Sequence, residues 1–411
     1  VDNSKILVLA TFVSLVSACA KQATSDATQT PASPAGATID VAMFKYIPDA
    51  NGDDFAALWQ HYEDGFAAAH EDDRFRAEVG VPEEGSFYDA DDIAGWMRDS
   101  GYDLVEIDLV MLGDVLATGA IAPFRVVDIE DRFFPAALEA STLDGEHYGV
   151  PHLMCTYFLF SRDTKVAAAR SFAELEAAMA KLPANAQRFA GNLTGDWDAT
   201  ALYVESWTMQ ARGTPVESLA ASPVAGVLAN LATLAQSCEL DGANPCTDGT
   251  YGNQWNAPAE RFAAGHASTM FGYSERMWVV MTSDPQAPAE IRPSALALGT
   301  IERPLLFTDS FVISASCTGE CLRAAVAFVD YVTSDAELGY MLASEDAGPE
   351  AVPRYLLPAN PDAARHGKLA EDIYYPQFLD ALRESVPQPS TGVPAYREAH
   401  GAELIATIAG G

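Results

Sequence analysis

Positive charge is scarce in this chain. It has 24 lysines and arginines against 58 aspartates and glutamates, a formal net charge of −34. Phosphate backbones and anionic lipid surfaces are gripped mainly by Lys and Arg, so neither nucleic acid nor an acidic bilayer is an expected partner. Histidine is also rare, at 7 of 411 residues, and the histidines and cysteines show no spacing suited to a metal site. His152 lies close to Cys155, but if the segment is a strand, an odd separation puts the two side chains on opposite faces. A GxxxxGK(S/T) phosphate loop, a GxSxG elbow and an HExxH helix are all missing. No cofactor, metal or bound nucleotide is therefore expected. Internal repeats are absent, and no apolar run beyond residue 18 is long enough to cross a bilayer. The acidic excess mostly describes a solvated surface, although it would draw in a cationic small molecule, more weakly at high salt.

The first residues carry an address. Lys5 precedes ILVLATFVSLVSA, residues 6 to 18, which has the length of a signal-peptide core and is too short to span a membrane. It ends in VSAC, resembling a bacterial lipoprotein cleavage signal. Residues 1–18 are then a signal peptide, and Cys19 becomes the lipidated first residue of an exported, membrane-anchored lipoprotein. Ordinary secretory cleavage would export the chain equally. KQATSDATQTPASPAGAT follows, with little to bury, so residues 19–38 read as a flexible tether. The globular part starts near Ile39.

Export gives the cysteines meaning, because disulfides persist outside the cytoplasm. Cys238 and Cys246 flank ELDGANP, whose Asp-Gly and Asn-Pro signal turns; Cys317 and Cys321 bracket TGE. Each pair can close locally. That leaves Cys155, in YGVPHLMCTYFLFSRD, either as a reactive thiol or as a buried inert one.

About 370 residues follow the tether, more than one core usually serves, so two lobes are expected. IDVAMFKYIP and YDLVEIDLVML read as strands; DDFAALWQHYEDGFAAAH, SFAELEAAMAKL and SPVAGVLANLATLAQS read as helices. This alternation points to an α/β fold with largely parallel sheets.

Three segments resemble extracytoplasmic solute-binding proteins of the maltose-binder type: LDGEHYGVPHLMCTYFLFSRDTKV, ERFAAGHASTMFGYSE and CLRAAVAFVDYVTSDAELGYMLA. The resemblance runs from about residue 40 to 385. It implies a two-lobed, periplasmic-binding-protein-like α/β fold with an interlobe cleft. The expected lobes are 39–157 with 292–335, and 158–291 with 336–411.

Two places narrow the resemblance to thiaminase I. In YGVPHLMC, Cys155 stands at that family's catalytic cysteine; in FGYSE, Glu275 stands at its catalytic glutamate. The same resemblance makes Asp108 in LVEIDLV and Asp309 in LFTDSF holders of the aminopyrimidine of thiamine, with Tyr46, Tyr273, Phe307 and Trp255 as walls. Phe307 departs from an expected tyrosine, which removes a hydroxyl. Trp207 and Tyr251 are lesser candidates for the cleft. It implies a monomer that transfers the pyrimidinylmethyl group of thiamine to an external amine or thiol.

Those residue types also suit the chemistry directly. A thiolate adds well to an electron-poor pyrimidine carbon and can leave again. A carboxylate can take the thiol proton and assist the incoming nucleophile. Aspartates accept from an exocyclic amine, and flat rings need aromatic walls. The competing expectations are a non-catalytic solute-binding lipoprotein feeding an ABC importer, and a surface module that keeps only the fold.

Overall fold

In TIDVA, Thr38–Ala42 (β1), Ile39, Val41 and Ala42 are fully buried in the computed structural model. The helix that follows, Ala56–Ala69, buries Leu58, Trp59, Tyr62 and Phe66, which share one face at helical spacing. The structure describes residues 36–183, 186–195, 197–211, 222–283, 290–300 and 303–410. Residues 1–35, which hold the expected signal peptide, Cys19 and most of the expected tether, lie outside the described residues.

Further strands are β2 (Arg76–Gly80), β3 (Leu104–Asp108), β4 (Ile121–Ala122), β5 (Thr142–Leu143), β6 (Glu146–His147), β7 (Gly149–Cys155) and β8 (Phe158–Ser161). After a helical stretch come β9 (Thr269–Gly272), β10 (Arg292–Ala295), β11 (Leu305–Ser314), β12 (Leu357–Pro358) and β13 (Val386–Pro387). One eight-stranded sheet has the order β12-β7-β11-β3-β1-β2, with β4 and β13 also paired to β11. A three-stranded sheet has the order β10-β8-β9, and β5 with β6 makes a small hairpin.

The expectation of largely parallel sheets needs correction. Parallel pairing joins β1 to β2 and β3, and β11 to β13. Elsewhere β11 runs antiparallel to β3, β4 and β7, and both pairs of the smaller sheet are antiparallel. The reason is topological: β11 enters the middle of the large sheet as a single long return strand, not through a helical crossover from a neighbour.

The chain passes from the large sheet to the small one between Cys155, the last residue of β7, and Phe158, the first of β8. Only Thr156 and Tyr157 intervene. Sheet membership differs from the sequence boundaries in three places. Arg292–Ala295 pairs with β8, Leu357–Pro358 with β7 and Val386–Pro387 with β11. All are short strands whose neighbours are set by pairing, with no change of composition to announce the switch.

Polar side chains set several helix starts. Asp89 caps Ala90–Arg98, Ser171 caps Phe172–Met179 and Ser334 caps Asp335–Leu342, each accepting from backbone N–H groups of the first turn. Cys238 is bonded to Cys246 and Cys317 to Cys321, while Cys155 is free. Among the described residues, no helix is long and apolar enough to cross a membrane.

Candidate active site

Three adjacent strands of the large sheet supply the floor of the site. Cys155 ends β7, and its register partner on β11 is Phe307. Two residues on, and therefore on the same face of β11, Asp309 pairs with Leu153 on one side and with Asp108 of β3 on the other. Asp108 also caps the single 3₁₀ turn Leu109–Met111, accepting at Oδ1 from Val110 N–H at 3.0 Å. The same oxygen accepts from Gln388 Nε2 at 2.9 Å, and Tyr88 OH donates to Oδ2 at 3.4 Å. Asp108 is thus a helix cap and a cavity residue at once.

The opposite wall comes from the segment FGYSE. Strand β9 ends at Gly272 and helix Arg276–Ser283 begins four residues later, placing Tyr273 and Glu275 on the connecting turn. Gly272 makes room there: a Cβ at that position would stand 2.6 Å from Arg276 Cγ. Its absence lets the Arg276 side chain pass over the strand end, with its guanidinium carbon 4.0 Å from the Trp255 ring centroid and Nη2 3.9 Å from Glu275 Oε1.

A cavity of about 290 Å³ is lined from both sides. Cys155, Glu275, Tyr46, Asp108, Tyr273, Asp309, Phe307 and Trp255 all line it. Tyr251 and Trp207 do not belong to this lining. Tyr251 is buried and donates to Gln187 Oε1 at 2.8 Å, and Trp207 lies on the helix Asp198–Ala211. His152 is fully buried, with Nδ1 2.5 Å from Glu106 Oε1.

The cavity also holds residues that sequence reasoning did not single out, among them Phe44, Tyr88, Trp197 and Asp198. Tyr88 and Trp197 lie ring to ring at 5.3 Å. Asp198 ends a hydrogen-bond chain: Tyr273 OH donates to Tyr157 OH at 3.0 Å, and Tyr157 OH donates to Asp198 Oδ1 at 3.0 Å. Asn192 Nδ2 donates to the other carboxylate oxygen at 2.7 Å. Tyr157 and Tyr273 are stacked, with centroids 4.6 Å apart. Tyr157 follows Cys155 by two residues, so its proximity was legible; Asp198 opens a remote helix and gave no local signal.

The electrostatics of the cavity disfavour charge on every acid that lines it. Burial pushes Asp108 up to about 7, against the hydrogen bonds from Val110 and Tyr88 that lower it. Asp309 is raised well above the carboxylate range, first by burial and then by the charges of Asp108, Glu106 and Glu275. Asp198 is raised to about 6 by burial, with the Tyr157 hydrogen bond and the Arg276 charge opposing. Glu275 is raised by burial, partly offset by Arg276. The Cys155 thiol is raised well above its ordinary value by burial, then by Asp309, Asp108 and Glu275. The free protein therefore holds a neutral thiol among protonation-prone carboxyls, an arrangement that a positive ligand would relieve. Among the described residues, one set brings possible metal ligands close together, Asp103 with Cys317 and Cys321. Its two sulfurs are spent in a disulfide, which leaves no thiolate to bind a metal.

Known proteins resemble this chain. A family model for bacterial extracellular solute-binding proteins matches residues 98–376. Thiaminase-1 of Paenibacillus thiaminolyticus is 25% identical over 375 residues, covering 87% of this chain and 83% of that protein. Among solved structures, thiaminase I from Bacillus thiaminolyticus matches with a TM-score of 0.71 at 19% identity, over 91% of this chain and 100% of the other. The GacH receptor of Streptomyces glaucescens, solved without ligand and with acarbose, matches with a TM-score of 0.66 at 18% identity, over 91% and 93% of the two chains. The α/β fold is that of solute-binding proteins and thiaminase I alike.

Proposed function

Since the chain belongs to the family of bacterial extracellular solute-binding proteins, we propose that its cleft carries out thiaminase I-type chemistry, with Cys155 as nucleophile and Glu275 as base. One observation carries this reading: a free cysteine lines the same cavity as a glutamate, two register-paired aspartates and several aromatic walls. A protein that only binds its ligand needs no nucleophile. The sequence relationship to thiaminase-1 supports thiamine as the substrate.

Thiamine joins an aminopyrimidine to a cationic thiazolium through one methylene. Asp108 and Asp309 face the aminopyrimidine, and Tyr46, Tyr273, Phe307 and Trp255 enclose its rings. An ordinary thiol at about 8.5 and a glutamate at about 4.3 differ by roughly 4 units, nearly 6 kcal/mol for proton transfer. In the free site both groups are raised, so burial alone does not close that gap. The thiazolium charge does part of the work by favouring the thiolate and the ionised carboxyls in the complex. Transfer of the thiol proton to Glu275 then accompanies formation of the bond from Sγ to pyrimidine C6. The bond from the methylene to the thiazolium nitrogen breaks, its electron pair leaves with nitrogen, and neutral thiazole departs.

An anchored, exported state through Cys19, a monomeric form and a ligand cleft between two lobes belong to the same reading. Replacing Cys19 with Ala is expected to release the protein from the membrane fraction; full retention would remove the anchor from the account. The activity is tested by incubating purified protein with thiamine and aniline and assaying free thiazole, which is expected to accumulate. Tight thiamine binding with no thiazole released by any amine or thiol would favour the second reading, a solute-binding lipoprotein of an importer. That reading draws support from the family match and from the likeness to an acarbose-binding receptor.

A further inference from the structure

Beneath the floor of the cavity lies a buried acid and base pair that the thiaminase reading leaves unused. Glu106 and His152 are 1% and 0% exposed. We propose that Glu106, held by His152, is a positioning residue of the thiamine site, and that it acts by fixing the backbone of the wall residue Phe44. The inference rests on the reading of that cavity as the thiamine site and adds to it a device one layer below the substrate.

The chain explains how the pair forms. Proline lacks the N–H that a ladder needs, so inside a sheet it sits at edges or bulges. Pro151 stands within β7, between β12 and β11. The register with β11 steps there from Asp309 opposite Leu153 to Ser310 opposite Pro151, which leaves His152 as the extra residue of a bulge. A bulge re-aims a side chain, and the strict alternation assumed for His152 and Cys155 is interrupted here. His152 lies ring to ring with Phe311 at 5.0 Å, and its Nδ1 stands 2.5 Å from Glu106 Oε1. Phe311 is in turn the register partner of Glu106, as Asp309 is of Asp108. Glu106 therefore shares a face of β3 with Asp108, two residues behind it.

The other oxygen of Glu106 does the positioning. Backbone pairing of β1 with β3 ends at Ala42 opposite Val105. Two residues on, the buried N–H of Phe44 donates to Glu106 Oε2 at 3.0 Å, a bond that would be costly to leave unmade at a buried amide. Phe44 lines the cavity, whereas Glu106 and His152 do not. The Phe44 ring meets Phe87 edge to face at 5.2 Å and Tyr88 at 6.3 Å, and Tyr88 donates to Asp108. The pair thus reaches the site through a wall and touches no ligand itself. A buried carboxylate used in this way needs a partner for its remaining oxygen, and His152 is that partner.

Reach and charge can be separated by substitution. Glu106→Gln keeps the side-chain length and an acceptor for the Phe44 N–H but drops the charge, while Glu106→Asp keeps the charge and falls one methylene short. With thiamine and aniline as substrates, Glu106→Asp is expected to raise the KM for thiamine about tenfold, with kcat per folded molecule within about threefold of wild type. Glu106→Gln is expected to hold that KM within about threefold. Removing the Phe44 ring should erase the effect: in a Phe44→Ala background, Glu106→Asp is expected to move KM by less than about twofold more. His152→Asn leaves Glu106 without its brace and serves should Glu106→Asp fail to fold; it is expected to raise KM by about threefold or more. A larger rise for Glu106→Gln than for Glu106→Asp, full additivity with Phe44→Ala, or a fall in kcat with KM unchanged would overturn the proposal. If the wild-type protein binds thiamine without releasing thiazole, dissociation constants replace KM and the same comparisons decide. A wild-type protein that binds no thiamine would instead overturn the reading of the cavity itself.

Discussion

Asp346 meets Arg354 through two hydrogen bonds, Nη1 to Oδ1 at 2.7 Å and Nη2 to Oδ2 at 2.6 Å, and neither side chain is exposed. Asp108 and Asp309, in contrast, face each other across neighbouring strands, and among the described residues no hydrogen-bonded cation serves either. The first site is a completed ion pair. Arg354 also donates to Pro48 O at 2.9 Å and to Met341 O at 2.6 Å, so its charge is used up in joining chain segments, including the one that follows Tyr46. The second site is incomplete without a partner of opposite sign. Evolution can leave buried carboxyls unpaired at a cost to stability when a ligand supplies the missing charge. On the proposed reading, one pair is architecture and the other machinery.

Breaking the machinery is expected to have the largest consequence. Glu275→Gln removes the base and is expected to lower turnover by about 10²- to 10⁴-fold, with thiamine binding retained and the residual rate rising toward alkaline pH as Cys155 ionises unaided. Steady-state and binding measurements on the same preparation separate these effects. Breaking the architecture acts on stability instead. Arg354→Met strands Asp346 without its cation and is expected to cost about 3 to 5 kcal/mol in denaturant unfolding, with far less loss of activity per folded molecule than Glu275→Gln causes.

Asp108→Asn and Asp309→Asn each replace an acceptor that the thiamine amine needs by a group that can present a donor. Each is expected to cost about 1.5 to 3 kcal/mol in kcat/KM, while the melting temperature at pH 8 stays level or rises. A fall in melting temperature matching the fall in activity would move these residues to the architectural class.

The smallest effect sharpens the same contrast through pH. Folded Asp108 lies near 7 and folded Asp198 near 6, both above an unfolded aspartate at about 3.9. The folded protein then holds protons that the unfolded chain has lost. Their stabilising contribution is fully present below about pH 4 and is lost as pH rises through about 7. Thiamine binding should run the other way, because a cation favours the ionised carboxyls. Affinity is expected to rise by up to about tenfold per pH unit between 5 and 7 for each proton released, measured by calorimetry in buffers of different ionisation enthalpy.

Much of this was legible in the chain itself. The resemblance to thiaminase I singled out Cys155 and Glu275 in VPHLMC and FGYSE, and the two aspartates in LVEIDLV and LFTDSF, because each lies in a short contiguous segment that can be compared by itself. The alternation of strands and helices gave the fold class. What escaped was set by distance along the chain. The pairing of Asp108 with Asp309 depends on β11 returning antiparallel between β3 and β7, which no local pattern announces. Asp198, Trp197 and Tyr88 reach the cavity from segments whose own patterns are those of ordinary caps and packing residues. Arg276 passes over the strand end at Gly272 and braces Trp255, a contact visible only in three dimensions.

The central claim is that Cys155 becomes covalently bonded to the pyrimidine of thiamine. Acid quenching of the protein with thiamine in the absence of an acceptor amine, followed by peptide mass spectrometry, tests it most directly. The expected result is one pyrimidinylmethyl group on the peptide containing Cys155, lost when aniline is added before the quench and never formed by Cys155→Ser. Thiazole released at the wild-type rate by Cys155→Ser, or turnover with no adduct on Cys155 at any quench time, would contradict the account.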